Sequence, residues 1–263
     1  MYEKAKTGWL WLGLCLWGLL AGFSPAAGGP PAGARPLTVA AAADLQFAFT
    51  ELGARFEQET GKKVVFTFGS TGNLARQIEN GAPVDLFAAA NLQFVENLMS
   101  QGLLIPGTQQ VYAIGRIVLA SNRQTGLRLH DLKDLLRPEV KRVALANPQH
   151  APYGMAARQA LESLGIWASL KPKLVYGENV RQALQYVQTG NVEAGIVALS
   201  IANVPEVTYT LIDDRWHQPL KQALAVVKGT QDEAMARRFV AFINGPKGRP
   251  VMKRYGFLLP EER

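Results

Sequence analysis

LTVAAAADLQFAFTELGARFEQETGKKVVFTFG, residues 37–69, is the stretch whose reading decides the fold class. Leu37 to Ala42 is a short apolar run and reads as a strand. Leu45, Ala48, Phe49, Leu52 and Phe56 then recur at helical spacing, and Gly61 supplies a C-terminal stop. Lys63 to Phe68 is the next strand. Outward from there the alternation continues. Leu74 to Ile78 is helical, Asp85 to Ala89 is a third strand, and Leu92 to Ser100 is a helix closed by Gly102. Val111 to Ala120 and Val143 to Ala146 read as strands, and Gly154 to Leu164 as a helix. Leu174 to Tyr176 is extended, and Val180, Ala183, Leu184 and Val187 mark another helix. Ala194 to Ala198, Thr208 to Ile212 and Ala223 to Val227 are extended, and helices over about 232–244 and 246–255 close the chain. This order implies an α/β protein with largely parallel sheets.

Composition sets the bounds. The 263 residues are 48% apolar and 19% charged, ordinary for a soluble globular protein. The formal charge of +7 raises the question of nucleic acid. The basic residues are dispersed among acids, as in Arg137-Pro138-Glu139-Val140-Lys141-Arg142, so the reading is a solvated surface and no nucleic-acid partner. Ahead of the first strand, Lys4 and Lys6 precede the apolar run Gly8 to Phe23, and small residues follow from Ser24 to Ala34. That is the layout of a secretory signal peptide over 1–34. Ala32-Gly33-Ala34 places cleavage before Arg35, with Ala27 a second candidate. The single cysteine, Cys15, lies inside the apolar run and leaves with the signal, so the mature chain has no thiol chemistry.

An enzyme reading finds no support, and the chain is read as a non-enzyme. His130, His150 and His217 are far apart and in no metal-ligand spacing. No nucleophile elbow, phosphate-binding Gly-Lys-Ser/Thr loop or dinucleotide fingerprint is present. Asp213-Asp214, followed by Arg215, reads as a solvated turn. Three strand-to-helix junctions say more: Ala41-Ala42-Ala43-Asp44, Phe68-Gly69-Ser70-Thr71-Gly72-Asn73, and Gly177-Glu178-Asn179-Val180, the last with Gln182 placed for a capping box with Asn179. In an open parallel sheet such junctions gather at the carboxyl edges of the strands, where ligands bind. A helix start offers free N–H donors and a positive dipole end, which suits an oxyanion without Lys or Arg.

At these junctions the chain resembles the periplasmic molybdate-binding proteins of ABC transporters. Residues 39–45 are similar to the family's first ligand loop, 68–78 to its second, and Gly81-Ala82-Pro83-Val84-Asp85-Leu86-Phe87 to the entry of its third strand. Asn147-Pro148-Gln149-His150-Ala151-Pro152-Tyr153-Gly154, Asn179-Val180-Arg181 and Lys253-Arg254-Tyr255-Gly256-Phe257 extend the match over about 37–259.

The resemblance implies a two-lobed binding protein with the anion held between lobes, each an α/β sheet, joined by a two-crossing hinge. The first lobe is then about 36–116 plus 224–263 and the second about 117–223, with crossings near 114–119 and 220–226. It implies ligand contacts at Ala43, Asp44, Ser70, Thr71, Tyr153 and Val180, the last through its backbone N–H. No resident cofactor is implied, only molybdate or tungstate as transported ligand. The partner is the membrane permease of an ABC importer, and the protein is a periplasmic monomer.

Two positions depart from the family. Many members carry Ser where this chain has Asp44 and Tyr where it has Ala198. One branch uses a tyrosine in the Pro-x-Gly loop, which Tyr153 fits, so Tyr153 is expected to donate its hydroxyl to the anion. Asp44 is expected to turn away and cap the first helix, because an ionised carboxylate would repel an anion; a protonated Asp44 is the alternative. Asp85 reads as a structural hydrogen-bonding residue, Arg76 as solvent-facing or paired with Asp85, and Trp167 and Trp216 as packing residues. The competing functions are a carrier for sulfate, thiosulfate or a metal ion, and the sensing domain of a transcription regulator.

Overall fold

The computed structural model describes residues 35–262, so the export signal read over 1–34 lies outside the described residues. The chain opens with β1 (Leu37–Ala42), a 3₁₀ turn over Ala43–Leu45, α1 (Gln46–Thr60), β2 (Val64–Gly69), α2 (Thr71–Glu79), β3 (Leu86–Ala89) and α3 (Leu92–Ser100). It continues through β4 (Gln110–Gly115), β5 (Ile117–Asn122), β6 (Val143–Ala146), α4 (Pro152–Ser163), α5 (Trp167–Leu170), β7 (Leu174–Gly177) and α6 (Val180–Gln188). It ends with β8 (Ala194–Ala198), α7 (Leu199–Ala202), β9 (Val207–Leu211), β10 (Leu220–Val226), α8 (Glu233–Asn244) and α9 (Arg249–Arg254).

The strands form two five-stranded sheets, β2-β1-β3-β10-β4 and β7-β6-β8-β5-β9. β1 pairs in parallel with β2 and β3, and β10 is antiparallel to both β3 and β4. The second sheet repeats this plan: β6 is parallel to β7 and β8, and β5 is antiparallel to β8 and β9. In each sheet one strand is therefore reversed, and it is the strand reached directly after the chain crosses from the other lobe. The architecture is α/β and two-lobed, with largely parallel sheets.

The interior explains why these segments fold as they do. β1, β3, β6 and β8 are covered by helices on both faces and are almost wholly buried, as parallel strands require. The edge strand β2 alternates instead. Along α1 the helical period buries Ala48, Phe49, Leu52 and Phe56, and Gly61 ends the helix at φ 70° with its N–H on the Glu57 carbonyl. Phe49 and Phe56 pack against Phe66 and Phe239, the Phe56–Phe239 rings edge-on at 5.0 Å.

Two expectations change. The segment expected as one strand from Val111 to Ala120 is two strands, β4 and β5, in different sheets, with only Arg116 between them. Only Gly115-Arg116 interrupts the apolar run, and because both halves are buried their pattern does not show that they join different sheets. The second crossing, expected within 220–226, is complete before Leu220, since β10 pairs along its length with β3 and β4. The return lies in 212–219, and the expected lobe boundary at 223/224 falls inside β10.

Candidate functional site

Four strand-to-helix junctions converge. Ala42, Ala43 and Asp44 follow β1, and Gly69, Ser70 and Thr71 follow β2; Ala151, Pro152 and Tyr153 lead from β6 into α4, and Asn179 and Val180 lead from β7 into α6. With Ala90 they line one small cavity. β1 and β6 hold the same place in their sheets, as do β2 and β7. Equivalent junctions of the two lobes therefore face each other at the carboxyl edges of the strands. The cavity is about 10 Å³, roughly the room of one water molecule. All six residues expected at the site, Ala43, Asp44, Ser70, Thr71, Tyr153 and Val180, are in its wall and buried.

Local hydrogen bonding fixes the helix starts. Asn179 caps α6, its side chain accepting from the Arg181 and Gln182 N–H groups at 3.0 Å each. The first N–H of α6, from Val180, has no intrahelical acceptor. Gln182 accepts from the Glu178 N–H at 2.6 Å, one residue earlier than the capping box read with Asn179. At α2 the Gly72 N–H donates across the lobes to the His150 carbonyl at 2.9 Å. Thr71 Oγ1 accepts from the Ala90 N–H at 3.1 Å, and the Thr71 N–H, the first of α2, has no intrahelical acceptor. Ser70 Oγ is 2.8 Å from His150 Nδ1, and His150 Nε2 is 3.8 Å from Glu178. Asn73 also hydrogen-bonds Glu178 and Arg76. Ser70, Gly72 and Asn73 belong to one lobe, His150 and Glu178 to the other, so the rim is bridged.

Asp44 does not cap a helix. Ala42 occupies the extended cap position, and neither the 3₁₀ turn nor α1 has a side-chain cap bond. Asp44 is two residues inside the turn, beyond the place from which a carboxylate can reach the free N–H groups. Its Oδ2 instead accepts from the Tyr153 hydroxyl and from Gln222 Nε2, both at 3.0 Å. The residue is 1% exposed, and Oδ1 has no hydrogen-bond partner. Burial pushes its pKa up from 3.8 to about 7, against the pull of the bonds from Tyr153, its own backbone N–H and Gln222. Among the described residues no Lys, Arg or His pairs with it.

Tyr153, expected to reach a ligand with its hydroxyl, uses that hydroxyl on Asp44, with Gln222 Nε2 3.3 Å away. Burial and then the Asp44 charge push its phenol up. Tyr112 stands behind, its hydroxyl 3.5 Å from Gln222 Oε1, and Ser200 Oγ donates to the Asp44 carbonyl at 2.8 Å. Gly115 makes room for the cluster, because a Cβ there would lie 2.2 Å from the Tyr153 hydroxyl. Gln222, Tyr112, Gly115 and His150 were not expected at the site. Gln222 is a fully buried amide, but it follows Lys221 in β10, so the strand's pattern alone did not single it out.

The other singled-out residues fall away from the cavity. Asp85 Oδ2 accepts from the Thr38 N–H and hydroxyl, and Oδ1 from the Thr230 hydroxyl, all at 2.8 Å, so it fastens strand ends. Arg76 is exposed and bonded to Asn73, not Asp85. Trp167 and Trp216 pack against the core. Asp213 caps a short surface turn and pairs with Arg215. Ala198 is fully buried, ends β8 and takes the cap position before α7. Among the described residues no cluster of three or more His, Cys, Asp or Glu side chains converges.

A molybdate-binding protein of Azotobacter vinelandii is 36% identical over 237 residues, covering 85% of this chain and 90% of the relative. The solved structure of the periplasmic molybdate-binding protein from Azotobacter vinelandii superposes with a TM-score of 0.81 at 32% identity, covering 85% of this chain and 99% of that one. The sulfate-binding protein of Mycobacterium tuberculosis superposes at 0.73 with 16% identity, over 86% of this chain and 88% of that one, a likeness of fold alone. A family profile described as bacterial extracellular solute-binding protein matches residues 37–258. The chain belongs to the bacterial extracellular solute-binding proteins.

Proposed function

We propose that this protein captures a tetrahedral oxyanion, molybdate or tungstate, in the cavity between its lobes and hands it to the membrane permease of an ABC importer. The observation that carries this reading is the convergence of equivalent helix starts from both lobes on one small cavity. Free N–H groups at helix starts hold an anion by dipoles already in place. Val180 and Thr71 donate through the backbone, Ala43 and Asp44 close the cavity beneath β1, Ser70 offers its hydroxyl, and Tyr153 closes the opposite side. The names of the relatives support molybdate as the cargo.

The first lobe is then 36–116 with the chain from 220 onward, and the second is 117–211. Arg116 and residues 212–219 make a two-crossing hinge. A cavity of about 10 Å³ is too small for a four-oxygen anion, so the lobes part at this hinge to admit one. Residues 1–34 direct export, and capture takes place in the periplasm by a monomer.

Thermal unfolding with each anion is the test. At 100 times its dissociation constant a ligand stabilises the fold by about 2.7 kcal/mol, and for a chain of this size that raises Tm by roughly 5–10 °C. Molybdate or tungstate is expected to do this, since their longer metal–oxygen bonds set them apart in size from sulfate, and fixed N–H donors can select by size. Stabilisation by sulfate, with none by molybdate or tungstate, overturns the assignment.

A further inference from the structure

Asp44 is a buried carboxyl in the wall of the cavity with no counter-charge. From α4 it faces Tyr153 and from β4 Tyr112, the two titratable groups that feel its charge. From β10 and α7 it meets neutral Gln222 and Ser200. α6 contributes Val180 and β2 contributes Gly69 to the same cavity wall. Arg181, the first cation along α6, lies over the Phe47 ring and bonds Gln188. His150, on the rim, is bonded to Ser70. Asp44 Oδ2 is satisfied twice while Oδ1 has no partner.

An oxyanion in this cavity meets that carboxyl at close range and low dielectric. Two negative groups held there without a cation repel strongly. A single proton between them converts the repulsion into a hydrogen bond. Either the acid is neutral and donates, or one ligand oxygen is a hydroxyl and Oδ1 accepts. Both arrangements satisfy the atom that otherwise lacks a partner.

Resting on the oxyanion reading above, we propose that Asp44 and the bound anion share one proton, so that capture takes a proton from solvent and release returns it. The balance is one carboxylate, one dianion and one proton on the free side, and one hydrogen-bonded complex on the other. A buffer acid supplies the proton, and no bond within the anion breaks. Affinity then falls as pH rises, and Asp44 also sets selectivity, excluding any anion unable to make this bond.

Titration calorimetry of the mature chain with sodium molybdate, at about pH 8.5 in two buffers of different ionisation enthalpy, reads the uptake directly. Expected are about one proton per anion and about tenfold weaker binding per pH unit on the alkaline side. Asp44→Asn should flatten the pH slope and remove the uptake, and His150→Ala should keep both. Molybdate binding without uptake, at constant Kd from about pH 6 to 9, overturns the proposal. So does uptake that survives Asp44→Asn and vanishes in His150→Ala. Should Asp44→Asn not fold, the buffer pair on the natural protein decides alone. If neither molybdate nor tungstate binds at any pH, the oxyanion reading falls and this proposal with it.

Discussion

Gly115→Ala, made in the natural chain and in a Tyr153→Phe background, probes the centre of the site. Gly115 ends β4 at the first crossing. An added Cβ would lie 2.2 Å from the Tyr153 hydroxyl, 3.1 Å from Tyr153 Cζ and 2.9 Å from Gln222 Nε2. The methyl and the hydroxyl cannot share that space, so Tyr153 must swing away and release Asp44. Overpacking of a filled interior costs about 1–3 kcal/mol, and losing a hydrogen bond to a charged or polar buried acceptor costs about 1.5–3 kcal/mol. Gly115→Ala alone is therefore expected to destabilise by about 2.5–6 kcal/mol. Tyr153→Phe alone forfeits only the hydrogen bond, about 1.5–3 kcal/mol. With the hydroxyl gone the 2.2 Å contact is removed, and the methyl meets only the ring edge at Cζ and the buried Gln222 amide. The double variant should then be less damaged than the sum of the singles, by about 1–3 kcal/mol. Urea unfolding of the four proteins gives the cycle, and molybdate titration of the same set follows the site. Additive costs, within about 0.5 kcal/mol, would refute the placement of the hydroxyl against Gly115.

Two further outcomes are expected. His150→Ala removes the Ser70–His150 bond across the lobes but leaves the Gly72–His150 backbone bond; stability should fall by only about 0.5–1.5 kcal/mol, while stopped-flow release of the anion should quicken by roughly fivefold, and an unchanged rate would deny the bridge a role in retention. The raised pKa of Asp44 makes its contribution to stability fully present below its unfolded pKa near 3.8 and lost as pH rises through about 7; the natural protein minus Asp44→Asn should show that decline between those limits in urea unfolding, and a difference flat with pH would mean the carboxyl stays ionised throughout.

Much of the fold was legible because each strand carries its own apolar run and each long helix its own period. Residues 37–69 show both, and the structure returns β1, α1 and β2 within a residue or two of the reading. The break at Arg116 was not legible, since β4 and β5 are both buried and hydrophobicity does not say against which sheet. The six residues expected to contact ligand, all of them among those that line the cavity, were read from helix starts and resemblance. Gln222, Tyr112 and Gly115 were not, because they reach the site across the sheet from positions more than 60 residues from Asp44 in sequence. Asp44 itself was misassigned to a cap for a local reason. Asp is favoured at helix starts, but here Ala42 takes the cap position two residues earlier and the turn directs the Asp44 carboxyl toward Tyr153.

The exchange of reversed strands has a consequence for how the nascent chain matures. β5 through β9 run without interruption from Ile117 to Leu211, so the second sheet has all its strands as soon as that stretch has emerged. The first sheet does not. β3, wholly buried in the finished protein, lacks a neighbour on one side until β10 arrives more than 130 residues later. Until then it presents a bare apolar edge, the kind of template on which chains pair with the wrong partner. A polypeptide cut short of Leu220 should accordingly yield a folded second lobe tethered to a sticky, unfinished first one. Delaying that closure to the last segment leaves the first sheet open until nearly all of the chain has been made.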